Sequence, residues 1–480
     1  MDRTNLLALA CLVALAAGCG DDEPDAPPVP VAPGAGAQPP GADPGGAPPA
    51  AADGRTSVRT PAPAPATGCP ATDVAAQLER AGTVHDRQIH GEETLDLAGS
   101  PHRFPQGILI GEAVTLRAEP CALAIMGAGT SLTVGPGGAL IVEGEADKPV
   151  RFDSEAPAPA PGQWNGIRLH DNARPQTKLV HAIVEDAGSD HLGAAIAAGG
   201  ELALNVQHVT IRHSKQHGVR FSHEARFTDD STALTVTESG REDPYSAPVW
   251  FSSASQVRTL PEGTYTGNAY DEIYVDRGDV RSTGTWRNPG VRYRLNRGID
   301  VASPNGAILT IAPGATLAFN HQTAFAVGFL RDGGVVLDGE SEETPITLTS
   351  ARPHPAPGDW VGLRFGETRA DAVIKVNHVV VEHAGGEARH PHNATERLAC
   401  RDTGAAAIGI RARDLGPRIT HTAIRSLPPE VTAILLVYRG DATDYTAAAH
   451  ANDFAQAGTE CAQNLQPAGD CPAPACRPSS

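Results

Sequence analysis

Short apolar runs that alternate with polar residues dominate the chain from about residue 91 to residue 438. Examples are "SLTVGPGGALIVEG" (Ser131–Gly144), "HAIVEDAG" (His181–Gly188), "NVQHVTIRHS" (Asn205–Ser214), "HGVRFS" (His217–Ser222) and "DEIYVDRGDV" (Asp271–Val280). Each run is rich in Val, Ile, Leu, Thr or Phe, and Gly, Pro, Asn or Asp separates it from the next. That period of two, punctuated by turn residues, predicts many short strands. Helical periodicity is confined to "ATDVAAQLERAG" (Ala71–Gly82), with Thr72 or Asp73 as N-cap and Val74 and Leu78 one turn apart. The stretch from Cys69 onward is too long for one ordinary core. A solenoid avoids that limit because each coil packs only on its neighbours, and its first coil needs a cover. The helical stretch is the predicted cap.

The strand pattern repeats. "LTVGPGGAL" (Leu132–Leu140) returns as "LTIAPGATL" (Leu309–Leu317), with Pro-Gly as a turn between two strands. "ALIVEGEADKPVRFDS" returns as "VVLDGESEETPITLTS", with Pro149 matching Pro345. "PAPGQWNGIRL" (Pro159–Leu169) returns as "PAPGDWVGLRF" (Pro355–Phe365), so Trp164 matches Trp360. "HAIVEDAG" returns as "HVVVEHAG" (His378–Gly385). The order is kept, and the second copy carries an insertion around Asn320 to Arg331. Each tryptophan follows Pro-Gly and precedes Gly-Ile or Gly-Leu at a strand start, so a buried hinge is expected rather than a sugar-stacking platform.

The phrases LTxxPG, PGxWxGIxL and HxxVEHAG, in this order, resemble right-handed parallel β-helix proteins of the pectate-lyase-like superfold, in particular lipid-anchored or secreted bacterial ones. The resemblance covers roughly Gly91 to Tyr438. It implies an all-β, right-handed parallel β-helix with two homologous cassettes. It implies no activity, because the superfold hosts lyases, hydrolases, epimerases, adhesins and inert stalks. The expected divisions are a signal peptide (1–18), a lipidated Cys with a disordered linker (19–68), an N-terminal cap (69–90), the first cassette and a bridge (91–305), the second cassette (306–440) and a Cys-containing cap or tail (441–480). The bridge, Thr228 to Asn305, reads as further coils of one solenoid, and two side-by-side helices joined by a hinge are the alternative.

Within each copy the His-containing strand recurs one coil on. "HAIVE" (His181–Glu185) is followed by "HVTIR" (His208–Arg212), and "HVVVE" (His378–Glu382) by "HTAIR" (His421–Arg425). If Ala182, Val184, Val209 and Ile211 point inward, then His181, Glu185, His208 and Arg212 point outward. Coils stack about 4.8 Å apart, so each His would lie over a His and each Glu over an Arg. Glu185–Arg212 and Glu382–Arg425 are therefore expected as exposed cross-coil ion pairs that help set register, each contributing roughly 0–1 kcal/mol. The competing reading of these histidines is a metal or catalytic site, but no third ligand recurs in both copies. "RHPHN" (Arg389–Asn393) reads as an exposed polar turn.

The chain opens "MDRTNLLALACLVALAAGCG". Arg3 and the apolar run Leu6–Ala17 form a signal-peptide pattern, too short for a permanent membrane span. "LAAGC" resembles a bacterial lipobox, which implies lipidation of Cys19. Gly20–Gly68 holds 13 prolines among Ala, Gly and Asp. It is expected to be a disordered spacer, with a reach of about 150 Å if extended as polyproline II. Setting aside Cys11 and Cys19 leaves Cys69, Cys121, Cys400, Cys461, Cys471 and Cys476, an even set that reads as disulfides in an exported protein. Proximity in sequence favours Cys69–Cys121, Cys400–Cys461 and Cys471–Cys476.

The formal net charge of −18 argues against nucleic acid as a partner. Arginine outnumbers lysine 34 to 4, which speaks of genome composition rather than function. No GxSxG, HExxH, P-loop or dinucleotide fingerprint appears. Asp229–Asp230 and Gln216–Gly218 faintly resemble the carboxylate pairs of β-helix glycosidases, but the full set of carboxylates, histidine and basic residue in the right order is missing, and two carboxylates alone are weak evidence. Asp171, Arg174 and Lys178 read as a solvated loop. No catalytic residue, metal site or cofactor is assigned, and Ca²⁺ enters only with an enzyme reading. The expectation is a lipid-anchored cell-envelope protein, at the outer membrane or cell surface. It is read as a non-catalytic structural or binding module for a polysaccharide or envelope protein. The alternative is a polysaccharide lyase or glycoside hydrolase on the same fold.

Overall fold

The computed structural model describes residues 69, 79–86, 88–156, 158, 160–240, 245–329, 331–366, 372–387, 405–411, 418–438, 443–454, 457, 459–464 and 475–478. The signal, Cys19 and spacer expectations, most of the cap stretch (71–78), Cys400, Cys471 and the "RHPHN" turn lie outside these residues. Glu79 and Arg80 form a turn and a bend, and Glu79–Gly82 contain no helix.

Nearly all regular structure is β, arranged in long parallel sheets in the order of a solenoid. A strand of one coil pairs with the equivalent strand of the coils before and after it. Gly166–Leu169, for instance, lies between Ser131–Val134 and Ala194–Ala198. Alternation then fills the core with stacked columns. Ile167 sits in register with Leu132 and Ile196, and all three are buried. Parallel pairing places like side chains one above another, so a strand burying every second residue extends one core column per face.

One twelve-stranded sheet runs from Ile108–Ile110 to Ala423–Arg425 without interruption. It passes through the bridge by Val249–Ser253, Glu272–Arg277 and Arg292–Leu295. The described strands therefore form a single stack, and the side-by-side alternative is not what the structure contains. A second twelve-stranded sheet covers the N-terminal half, from Thr83–Val84 to Gly263–Thr264. An eight-stranded and a five-stranded sheet, beginning at Asp279–Val280 and Gly284–Trp286, serve the C-terminal half. The expected insertion around Asn320–Arg331 contains a regular strand, Ala324–Val327, paired with Ile299–Val301 and Gly362–Phe365.

The repeated phrases do not return to the same sheets. Gly166–Leu169 belongs to the uninterrupted sheet, but its sequence counterpart Gly362–Phe365 belongs to the eight-stranded one. The uninterrupted sheet instead takes Val379–Glu382, the counterpart of the second half of Lys178–Glu185. The same phrase thus lies on a different face in its second occurrence.

Between named strands every pairing is parallel except the last. Thr459–Asn464 adds a parallel strand to Thr432–Tyr438, and Ala475–Pro478 turns back against it antiparallel. That reversal puts Cys461 opposite Cys476, and the two form a disulfide. The expected Cys400–Cys461 and Cys471–Cys476 pairs are corrected accordingly, because strand register outweighs nearness in sequence. Cys69 is bonded to Cys121.

Candidate functional site

Four histidines mark corners of the coil. His181, His208, His378 and His421 have φ of 46°, 54°, 49° and 46°, in the left-handed region where non-glycine residues are uncommon. In Lys178–Glu185 the chain bends at His181, so the inward residues Leu179 and Ala182 are three apart rather than two. Strict alternation across this strand, as expected from sequence, fails at the corner. The imidazoles stack on adjacent coils, His181 on His208 with centroids 4.5 Å apart and His378 on His421 at 4.6 Å. Burial and the neighbouring His208 hold the His181 pKa below its usual value. Beneath each pair the preceding coil has a glycine. A Cβ on Gly144 would lie 2.2 Å from the His181 carbonyl oxygen, and one on Gly339 would lie 2.3 Å from that of His378.

Glu185 is in register with Arg212, and Glu382 with Arg425. Their contacts are 2.5 Å and 3.0 Å. The expectation of exposure is wrong for the first pair. Glu185 is 3% exposed, because Arg151 on the preceding coil clamps its other carboxylate oxygen. Burial would push the Glu185 carboxyl up, and the two guanidiniums outweigh it and hold the pKa low. Asp153 stands next to Glu185 on the neighbouring coil and is buried, with nearby Glu185 and Asp186 adding repulsion, so its carboxyl is pushed up to about 7. His213 completes the corner. Its Nδ1 faces Asp186 Oδ1 at 3.2 Å and its Nε2 faces Glu238 Oε2 at 2.9 Å. Two carboxylate partners require both ring nitrogens to donate, which is the imidazolium form, and the Asp186 hydrogen bond raises the His213 pKa. The second copy has Thr347 and Thr349 where the first has Arg151 and Asp153. There the Thr349 hydroxyl donates to Glu382 at 3.0 Å. One corner is a buried ionic network around Glu185, and the other keeps a single ion pair, Glu382–Arg425, with a hydroxyl in place of the second arginine.

Trp164 and Trp360 are fully buried. Each indole N–H donates to the backbone carbonyl of the clamped glutamate, Trp164 to Glu185 at 2.7 Å and Trp360 to Glu382 at 2.8 Å. The glycine two residues on has φ of 110° at Gly166 and 116° at Gly362, and a Cβ there would meet a carbonyl of the next coil within 2.5 Å. Arg168 and Arg364 then cross to the next coil, donating to the carbonyls of Ala194 and Ala406. The repeated phrase is occupied throughout in joining coils. Among the described residues, no group of His, Cys, Asp or Glu is arranged to hold a metal ion. A shallow depression of about 200 Å³ is lined by Ala128, Ser154, Glu155, Ala156 and Gln163, beside the ionic corner.

A second constellation runs from His217–Phe221 into the bridge, on the outward side of the uninterrupted sheet. Arg220, Trp250, Tyr274 and Arg294 occupy one column on successive coils, by direct register. Val249 and Phe251, which flank Trp250, are buried, so Trp250 faces out. The Arg220 guanidinium carbon lies 4.6 Å from the Trp250 ring centroid, and Trp250 stacks on Tyr274 at 6.1 Å. Tyr245, 55% exposed, packs edge-on to Tyr274, with Arg294 at 5.8 Å from its ring. Sequence reading missed these residues because it followed the repeated phrases, and the bridge has none. The available signal was Trp250 at the polar position of an alternating strand.

No family model, curated protein or solved structure matches this chain.

Proposed function

We propose that the chain is a lipid-anchored cell-envelope protein whose right-handed β-helix, built from two homologous cassettes and a bridge, acts as a non-catalytic binding module for a polysaccharide or envelope protein. The observation that carries this reading is the unbroken twelve-stranded sheet, which offers a long, stiff outer face spanning both copies and the bridge. Solenoids use such faces for extended ligands. The side chains that suggest chemistry are consumed by the fold. The histidines stack at corners, Glu185 is clamped by two arginines, and the tryptophans close coils. The signal pattern and Cys19 support the anchor, and the proline-rich segment after it supports a spacer.

One observation favours the enzyme reading. Asp153 at about 7 beside ionised Glu185 is a pair of carboxyls with pKa values driven apart, the condition for a general acid and its partner. Against it, both are buried and Glu185 has no free oxygen. Incubation of the purified chain with a panel of polysaccharides, with and without Ca²⁺, decides between the two. Binding without turnover is expected, and turnover lost in Asp153→Asn would replace the proposal. Palmitate labelling that vanishes in Cys19→Ala, with release of the protein from membranes, is the expected result for the anchor.

A further inference from the structure

We propose that His85 and His102 form an acid-released clasp that fastens the entry strand Thr83–Val84 to the first coil of the solenoid. That strand has little else to hold it. Among the described residues it pairs only with His102–Phe104. Thr83 and Val84 are both exposed, and of the described residues from Glu79 to Gln88 only His85 is covered. The His85 side chain is 8% exposed, and its ring stacks on that of buried Phe104 with centroids 4.5 Å apart. His102 is also buried, in register with the core residue Ala124 of the next coil. A pair of imidazoles thus closes the end of a core column.

The contacts of the pair limit how many protons it can hold. His85 Nδ1 lies 2.6 Å from Glu93 Oε1, His85 Nε2 lies 3.0 Å from His102 Nδ1, and His102 Nε2 lies 2.8 Å from the Asp96 carbonyl oxygen. A carbonyl oxygen and a carboxylate only accept, so His102 Nε2 and His85 Nδ1 each carry a proton. The two facing nitrogens are then bare while both rings are neutral. One extra proton between them completes every contact and balances the Glu93 charge. A second would set two N–H groups head-on and two cations together in a buried site. The fastened pair therefore has room for one proton beyond neutrality, whereas the released pair takes two.

The other charges nearby do not relieve this limit. The Asp96 carboxylate accepts from the Gly99 N–H at 2.8 Å. Arg103 turns to the Arg80 carbonyl and to Glu155. Asp86 is exposed. Burial holds both imidazoles below their ordinary value, against the attraction of Glu93 and Asp96. Folded values below the unfolded ones mean that the hold is complete above about pH 6.5 and is lost as pH falls. Each proton withheld shifts the opening equilibrium about tenfold per pH unit. Opening uncovers Phe104 and the edge of His102–Phe104. Cys69 stays bonded to Cys121 and Ile89 stays buried, so the segment is anchored on both sides and can refasten.

Hydrogen exchange of the full chain, read by mass spectrometry between about pH 7 and pH 4.5 and corrected for the intrinsic exchange rate, tests this. Peptides over Thr83–His85 should lose about tenfold in protection per pH unit below about 6.5. Peptides over Ala307–Ile311, paired on both sides in the middle of the stack, should hold steady. His102→Asn leaves one ring, which can take its single proton fastened or free, so the pH dependence should vanish. The double change His85→Phe with His102→Leu leaves no ionisable ring and should also be independent of pH. Glu93→Gln removes the balancing charge and should move the onset of opening to higher pH. Constant protection of Thr83–His85 across the range in the unaltered chain would overturn the inference, and that series needs no variant to fold. The same fall in the double variant as in the unaltered chain would overturn it too.

Discussion

Replacing Glu185 by glutamine should destabilise the protein far more than the same change at Glu382, although the sequence presents the two as equivalents. The side chain of Glu185 is 4% exposed and bridges Arg151 and Arg212, themselves only 10% and 15% exposed. Glutamine keeps the shape but leaves two guanidiniums close together in a poorly hydrated site. Removing one member of a buried ion pair costs about 3–5 kcal/mol, because the remaining charge is uncompensated. Glu382 faces one arginine that is 49% exposed, so Glu382→Gln should cost about 1 kcal/mol or less. Urea denaturation gives the totals. Hydrogen exchange across Lys178–Glu185 and Ala203–Arg212 reports the local opening that a repeat architecture allows. A triple change of Arg151, Glu185 and Arg212 to Met, Leu and Leu should recover most of the loss, since the penalty is uncompensated charge rather than a missing contact. Equal costs for the two glutamine variants, or a triple variant weaker than Glu185→Gln, would refute the reasoning.

The ionic corner also makes stability depend on pH with a definite sign. Asp153 and His213 both have folded pKa values above their ordinary ones, so their contribution is complete at low pH and lost as pH rises, through about 7 for Asp153. Asp153→Asn should flatten the fall between about pH 4 and 7 in a series of thermal melts. His217, buried and beside Arg220, is pushed down to about 3, so its contribution is complete above 6.5 and lost as pH falls toward that value, the opposite trend. Peptide mapping without reduction should recover Cys461 joined to Cys476, and recovery of Cys400–Cys461 would overturn the C-terminal register. Cys461→Ser should cost about 3 kcal/mol, as expected for closing a loop of 15 residues. At the left-handed corner, His181→Asn should be tolerated, whereas His181→Val should cost about 1–2 kcal/mol more in urea denaturation, because a β-branched residue resists positive φ.

The strands were legible because parallel stacking turns period-two alternation directly into core columns. Val249, Phe251, Ile273 and Val275 can be picked out from "VWF" and "IYV" without knowing their partners. The stacking of His on His and Glu on Arg was legible too, because register in a parallel sheet follows from repeated phrases. Three things were not. The bend at His181 is a backbone event that no side-chain pattern announces, and it removed the simple inward–outward assignment. The burial of Glu185 depends on Arg151, which sits 34 residues away and has no counterpart in the second copy. The Arg220–Trp250–Tyr274–Arg294 column depends on four strands with no shared phrase, so only register brings them together.

The placement of the repeated phrases on different sheets has a consequence for what each occurrence can present to a ligand. Copies related by simple translation would present one striped surface, and a ligand crossing it would hold both stripes to the same residues. Here corresponding strands lie in different sheets, so corresponding side chains are on different faces. No single straight ligand can read Arg151 and Thr347, or Arg212 and Arg425, at once. The two occurrences of the phrases therefore present separate surfaces, joined by the coil contacts between them. The doubly clamped Glu185 in one half and the singly paired Glu382 in the other differ in the way such independence allows.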